Sequence, residues 1–490
     1  MKETAAAFDA FARGWVRARK VPGLSLAVVE RGRRPVARGY GFRDVAARLP
    51  ATPRTVYGIA SVTKSFTALA ILRLEEAGKL TTDDPVVRHL PEFGTPEPRW
   101  TRRIRLHHFL THSSGLPPLP SIYYSSIRSS ARDPPYDPRV ARRVGVDPDH
   151  RPIDTYEQLM EHLRTTRYRL LGPPGRYFSY SNEAFGLLGA VIERLTGRTY
   201  ESYLEEELLR PMGMRSTTFD TGIMRRYPEV TTPYSPRRTG RRRGLVPSTD
   251  WWEDTCLRAC GGLRTNVEDL ACYVEMFLND GRIGRERVVG AAAIRRMLTP
   301  HVGISPGLGY GYGIAVRPDY HGATLAFHDG GLPGVSSVFA LVPRKHLGGV
   351  VLANAEQVPS REVLAAALNE RLGLPLRTPF VDVPPPVRDR GPLREYGGWF
   401  GSGEGIWVRV TPLHRALRFD FHGIEYTARG LRLSPAGDDR FVIHRKGLAG
   451  EVRFERDGRG RIWAVFQQWR MVRRRRPDDL RRARTGSLAW

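Results

Sequence analysis

Ser61 and Lys64 stand three residues apart at the head of an apolar stretch covering 66–74. On a helix that spacing puts both side chains on one face, so the lysine amine can meet the serine hydroxyl without help from distant sequence. A serine hydroxyl is a weak nucleophile until a neighbouring base activates it. Lysine can be that base when burial depresses its pKa enough to leave a neutral amine, whereas arginine stays protonated. The distinction matters in this chain, because 71 of its 77 basic residues are arginine and the lysines are limited to Lys2, Lys20, Lys64, Lys79, Lys345 and Lys446. The pair therefore reads as a nucleophile beside its own base.

The surrounding pattern indicates what must hold the pair. Being apolar nearly all round, the helix that carries it is expected to cross the interior and to end near Gly78. Ahead of it, Phe8, Phe11 and Trp15 recur at helical spacing, and 24–29 and 35–40 flank Arg31-Gly32-Arg33-Arg34 as a hairpin. Residues 117–152 are rich in Pro, Asp, Arg and Tyr and predict a long excursion, either a lid or a surface loop. Helical periodicity returns over 156–165, 183–196, 200–209 and 267–280. Strands over 312–316, 324–327, 337–341 and 348–352 have the spacing of an antiparallel meander, closed by a helix over 361–372. The proline-rich 375–392 predicts a linker. Beyond it, short strands over 407–410, 417–421, 431–433, 440–444, 451–454 and 462–466 predict a small antiparallel barrel or sandwich. A loosely held basic tail is expected over 473–490.

Ser-x-x-Lys alone is a weak signal, and it gains weight from segments further along the chain. Tyr180-Ser181-Asn182 precedes a helix, and His328-Asp329-Gly330-Gly331 comes directly after a strand. Together with Tyr57-Gly58-Ile59-Ala60, Leu110-Thr111-His112-Ser113-Ser114-Gly115-Leu116 and Pro211-Met212-Gly213-Met214, these segments make residues 1–374 resemble the serine hydrolases related to class C β-lactamases and DD-peptidases of the penicillin-binding-protein group. The resemblance implies an α+β fold: a β-lactamase/transpeptidase-like domain with an antiparallel sheet flanked by helices beside a helical subdomain, and the site at their junction. Over 393–472, Tyr396-Gly397-Gly398-Trp399-Phe400 and the strand pattern resemble the lipocalin-like β-barrel domain of some of these hydrolases, where it caps the site or supports oligomerisation. By the same resemblance Ser61 accepts the acyl group, Lys64 deprotonates it and Tyr180 relays the proton to the leaving group. Asn182 would hold the substrate amide, with a turn role as the competing reading. His328, Gly330 and Gly331 would line the substrate strand, with the N–H groups of Ser61 and Gly331 facing the oxyanion. An ordinary glycine turn competes with that reading.

Two departures redirect the substrate class. His328 stands where β-lactamases carry lysine and Asp329 where they carry threonine, so a permanently cationic carboxylate clamp is missing. His-x-Gly instead resembles the esterase and D-aminopeptidase branches. The expectation is a metal-independent serine hydrolase without a cofactor, forming an acyl-enzyme from peptides with D-residues or from small esters. A β-lactamase-like or DD-peptidase activity, or a catalytically silent penicillin-binding-type protein, are the alternatives. No Gly-x-Ser-x-Gly surrounds Ser61, which argues against an α/β-hydrolase. His107, His108 and His112 lack the glutamate of a zinc protease, since Phe109 occupies its place, so no metal is expected.

Composition sets the partners. A formal charge of +26 attracts polyanions, yet the arginines are scattered, with denser groups only at 237–243, 473–476 and 481–484 and no recognition motif, so no specific nucleic acid is expected. No apolar run reaches membrane-spanning length, and Asp9 breaks the apolar stretch 5–8, so no secretory signal is expected. Cys256, Cys260 and Cys272 form no Cys-x-x-Cys pair, which fits reduced thiols in a cytoplasmic protein. Its partner would be a small molecule or peptide, with homo-oligomers through the C-terminal domain as a further option.

Overall fold

Long apolar strands build the centre of the catalytic region. Val335–Val342 and Leu347–Ala353 are buried at every position, as strands covered on both faces must be. The computed structural model describes residues 2–131, 133, 136–236, 244–248, 251–387, 393–424, 427–445 and 448–484. The arginine group at 237–243, residues 388–392 and the end of the basic tail lie outside the described residues.

Nine antiparallel strands form the main sheet, in the order Val302–Ser305, Leu308–Tyr310, Ala315–Tyr320, Ala323–Leu332, Val335–Val342, Leu347–Ala353, Gly23–Glu30, Val36–Asp44 and Leu49–Pro50. The expected meander is present, and the N-terminal hairpin extends it by pairing Leu26 with Val351. Strand alternation then sorts the core into two layers. Ala326, Phe339, Leu341 and Val350 face the helices Thr63–Glu76 and Val267–Leu278. Leu325, Phe327, Val338 and Val351 face the helices Lys2–Arg19 and Ser360–Leu372. The strand expected at 312–316 begins only at Ala315. Gly313 has φ +70°, and a Cβ there would lie 2.8 Å from the Lys64 carbonyl oxygen, so this turn is shaped by the helix carrying the lysine.

Residues 398–475 close into a barrel of eight antiparallel strands. Here the expected boundary at 472 is corrected. Arg470–Arg475 is the last barrel strand, pairing with both Ile462–Gln467 and Gly398–Gly401, and the short helix Asp479–Arg484 comes after it. The charge of the run concealed a strand because its arginines serve as donors: Arg473 to the Leu170 carbonyl at 2.5 Å and Arg474 to the Gly397 carbonyl at 2.7 Å. Nor does the proline-rich segment hang free at its start, since Phe380 is buried against Phe327 and accepts from Arg317 through its carbonyl.

The excursion 117–152 contains the short helices Ser121–Ser125, Ile127–Ser130 and Pro138–Arg143. Barrel residues tie it down: Trp407 Nε1 donates to the Val144 carbonyl at 2.9 Å, and the Glu404 N–H donates to the Pro118 carbonyl at 3.2 Å. Its inner side reaches the cleft above Ser61.

Candidate active site

Ser61 sits in the 3-10 turn Ala60–Val62 that feeds directly into the helix Thr63–Glu76. Ala60 has φ +46°, an unfavourable left-handed conformation for alanine that orients the next residue. The turn is held from both sides: the Ile59 N–H donates to the Leu263 carbonyl at 3.0 Å, and the Ser337 hydroxyl donates to the Ile59 carbonyl at 2.6 Å. Ser61 itself is half-buried, and its N–H lies at the helix start where backbone donors lack intrahelical partners.

Lys64 is completely buried, and its amine has three hydrogen-bond partners. Nζ lies 3.1 Å from Ser61 Oγ, 2.9 Å from Asn182 Oδ1 and 2.8 Å from the Cys260 carbonyl oxygen. The last two oxygens only accept. The three acceptors match the three N–H bonds of the ammonium, and an amine keeping its N–H bonds on the two fixed oxygens would turn its lone pair to the Ser61 hydroxyl. Among the described residues no carboxylate lies within ion-pair distance of it.

Ser181 caps the helix Asn182–Thr196, accepting from the Ala184 N–H at 3.2 Å, so Asn182 is the first helical residue and points back to Lys64. Asn182 thus meets the lysine from the first turn of that helix. The Tyr180 ring packs against His112 at 4.1 Å and the Arg470 guanidinium at 4.5 Å, with Lys64 Nζ 4.7 Å from its centroid. Among the described residues the Tyr180 hydroxyl makes no hydrogen bond to Ser61 or Lys64; it borders the same cleft. His112 is fully buried and its Nδ1 accepts from the Ser181 N–H at 3.1 Å. Burial, reinforced by the Lys64 charge, lowers its pKa well below the usual histidine value. A neutral ring is what accepting that N–H requires.

Gly330 and Gly331 belong to the strand Ala323–Leu332, which pairs with Ala315–Tyr320 only as far as Phe327. Beyond that point one edge is open. Leu332 and Val335 close a two-residue hairpin as a hydrogen-bonded pair, so alternation aims the Gly331 N–H and C=O at the open edge. Gly331 has open space where a Cβ would be, whereas a Cβ on Gly330 would lie 2.2 Å from both the Ile59 carbonyl oxygen and Ser337 Oγ. Gly330→Ala is therefore expected to displace the nucleophile turn, costing about 2 kcal/mol or more and most of the activity, as checked by urea unfolding and turnover together.

His328 requires a correction. It is 1% exposed; Nδ1 lies 2.6 Å from the Asp329 carbonyl oxygen and Nε2 2.9 Å from the Tyr310 hydroxyl. A carbonyl only accepts, so Nδ1 carries the proton and Nε2 accepts from Tyr310, leaving nothing for a substrate. Burial, with the Lys64 and Arg361 charges, lowers its pKa well below the usual value. Strand alternation puts the ring on the same face as Gly330, 6.1 Å from the Tyr180 ring, but both of its nitrogens are already engaged. Asp329 faces the opposite side and pairs with Arg361.

The resemblance implied a barrel able to cap the site, but sequence reasoning named none of the barrel residues that reach the cleft. Glu404 and Arg470 line it beside Ser61, Tyr180 and Asn182, joined by contacts of 2.6 and 2.9 Å. Burial works against the Arg470 charge, and Glu404 more than offsets it, so its pKa is raised. Also missed were Cys260, which acts through its carbonyl, and two buried acids: Glu183 and Asp254, each pushed up to about 7 chiefly by burial. Backbone acceptors leave no trace in side-chain spacing, and a single arginine among 71 carries no contrast. Among the described residues no group of three or more His, Cys, Asp or Glu is placed to hold a metal.

A helix-flanked antiparallel sheet with Ser61, Lys64, Tyr180 and Asn182 at its edge defines a β-lactamase/transpeptidase-type domain. The Beta-lactamase family profile matches residues 6–372, and the chain belongs to that family. It is 29% identical over 348 residues to Protein flp of Staphylococcus aureus (strain MW2), covering 69% of this chain and 61% of that protein. The chain thus spans 61% of the length of that relative. It is 25% identical over 448 residues to the D-aminopeptidase of Gluconobacter oxydans (strain 621H), covering 90% of this chain and 75% of that protein. Among solved structures it resembles the octameric penicillin-binding protein homologue from Pyrococcus abyssi, with 28% identity, a TM-score of 0.66 and coverage of 96% of this chain and 100% of that one. No helix among the described residues is long and apolar enough to cross a membrane.

Proposed function

We propose that this chain is a serine hydrolase that forms an acyl-enzyme on Ser61 from amide or ester substrates, peptides with D-residues first among them. The observation that carries the reading is the 3.1 Å contact between Lys64 Nζ and Ser61 Oγ, made inside a buried hydrogen-bond network. Ser61 Oγ attacks the substrate carbonyl as its proton passes to the Lys64 amine. The N–H groups of Ser61 and Gly331 receive the developing oxyanion. Tyr180, bordering the cleft, is placed to hand a proton to the leaving group, and Asn182 orients both Lys64 and the substrate. Water then cleaves the ester formed on Ser61. The D-aminopeptidase relative, matched through the barrel as well as the catalytic region, supports the D-residue preference.

Intact mass after incubation with a fluorophosphonate tests the reading directly. A single adduct mapped to Ser61 is expected, together with turnover of amino-acid p-nitroanilides or p-nitrophenyl esters. An unlabelled Ser61 would overturn it and favour a catalytically silent protein.

A further inference from the structure

Two carboxylates line the Ser61 cleft, and their situations differ. Glu404 gives both oxygens to Arg470. Asp254 has no Lys, Arg or His within ion-pair distance among the described residues. Its Oδ1 accepts from the Ser125 hydroxyl at 3.1 Å, and it is 5% exposed. It shares the cleft wall with Asn182, Cys260 and Gly261. Lys64 cannot serve it, since that amine already meets Ser61, Asn182 and the Cys260 carbonyl. Burial raises the Asp254 carboxyl to about 7, and the Ser125 and Ser126 hydroxyls with the Arg264 and Lys64 charges do not offset this. A buried carboxyl that borders a substrate cleft without a counter-ion is a ready partner for a cation brought in by the substrate.

We propose that Asp254 determines specificity by binding the ammonium of the substrate's acyl portion, so that the favoured substrates are amides or esters of amino acids whose α-amino group is free. The inference deepens the acyl-enzyme reading and rests on it for the position of the acyl group. Asp254→Asn keeps the shape and an oxygen for Ser125 but removes the charge.

The test compares kcat/KM for an amino-acid p-nitroanilide with that for its N-acetyl counterpart, in the full chain and in Asp254→Asn. The parent is expected to favour the free amine, and the ratio to fall about 10-fold or more in the variant. A ratio that does not change, or a parent that favours the acetylated compound, overturns the proposal. Calorimetry on Ser61→Ala gives a second reading independent of turnover: alaninamide should bind more tightly than N-acetylalaninamide. Equal affinities overturn the proposal even if Asp254→Asn does not fold. The two readings separate cleanly. A chain labelled at Ser61 that does not discriminate between the ligands loses only the Asp254 assignment, whereas one that prefers the amine yet is never labelled loses the hydrolase reading.

Discussion

Ser61→Ala and Lys64→Ala are each expected to lower kcat/KM by about 10³-fold or more, and the double variant to be hardly worse than either single one, because the two groups act as a unit. Their stabilities should part. Ser61 is half-buried and among the described residues its hydroxyl hydrogen-bonds only with the lysine, so Ser61→Ala should shift unfolding by about 0.5 kcal/mol at most. Lys64→Ala leaves the buried Cys260 carbonyl and Asn182 Oδ1 without their donor and empties the volume of a fully buried side chain, so a loss of about 2–5 kcal/mol is expected. Urea unfolding beside steady-state kinetics measures both. Near-native turnover in either single variant would remove Ser61 and Lys64 from the reaction.

Legibility in the sequence tracks the range of the interactions. Ser61 and Lys64 are neighbours on one helical face, a relation fixed by three residues of spacing, and apolar flanks announced the burial. Tyr180 and Asn182 could be placed in the site only through their resemblance to a family, since 116 residues separate Lys64 from Tyr180 and no local rule joins them. Resemblance suggested that the barrel caps the site, but that Glu404 and Arg470 are the residues forming the wall lay beyond both routes, because it depends on how a barrel docks on another domain. Barrel strand Arg470–Arg475 was hidden further by its composition: only Met471 and Val472 are buried in it, and four arginines made the run look like a tail. His328 shows the opposite failure. Motif position suggested a group free to meet substrate, and alternation does keep the ring on the site face, but a sequence cannot show that the Tyr310 hydroxyl and the Asp329 carbonyl already occupy both ring nitrogens.

Arg470→Ala is expected to cost about 3–5 kcal/mol, since it strands the Glu404 carboxylate in the cleft beside the buried acid Glu183. Stability alone would not distinguish a docking contact from a part of the site. The Tyr180 ring supplies the discriminating readout, because it packs against both the Arg470 guanidinium and the His112 ring. Replacing the pair together, as Arg470→Met with Glu404→Leu, removes the stranded charge and should restore unfolding to within about 1–2 kcal/mol of the parent. Turnover should not recover with it. With the Arg470 contact to the Tyr180 ring gone, kcat is expected to stay about 10-fold or more below the parent, since small misplacements of a reacting group are costly. Recovery of kcat along with stability would make the pair a fastening between barrel and catalytic region and nothing more. Persistent loss of kcat in a stable double variant would mean that the barrel completes the active site, because the residue holding Tyr180 from the cleft side comes from beyond position 372, where the family match ends.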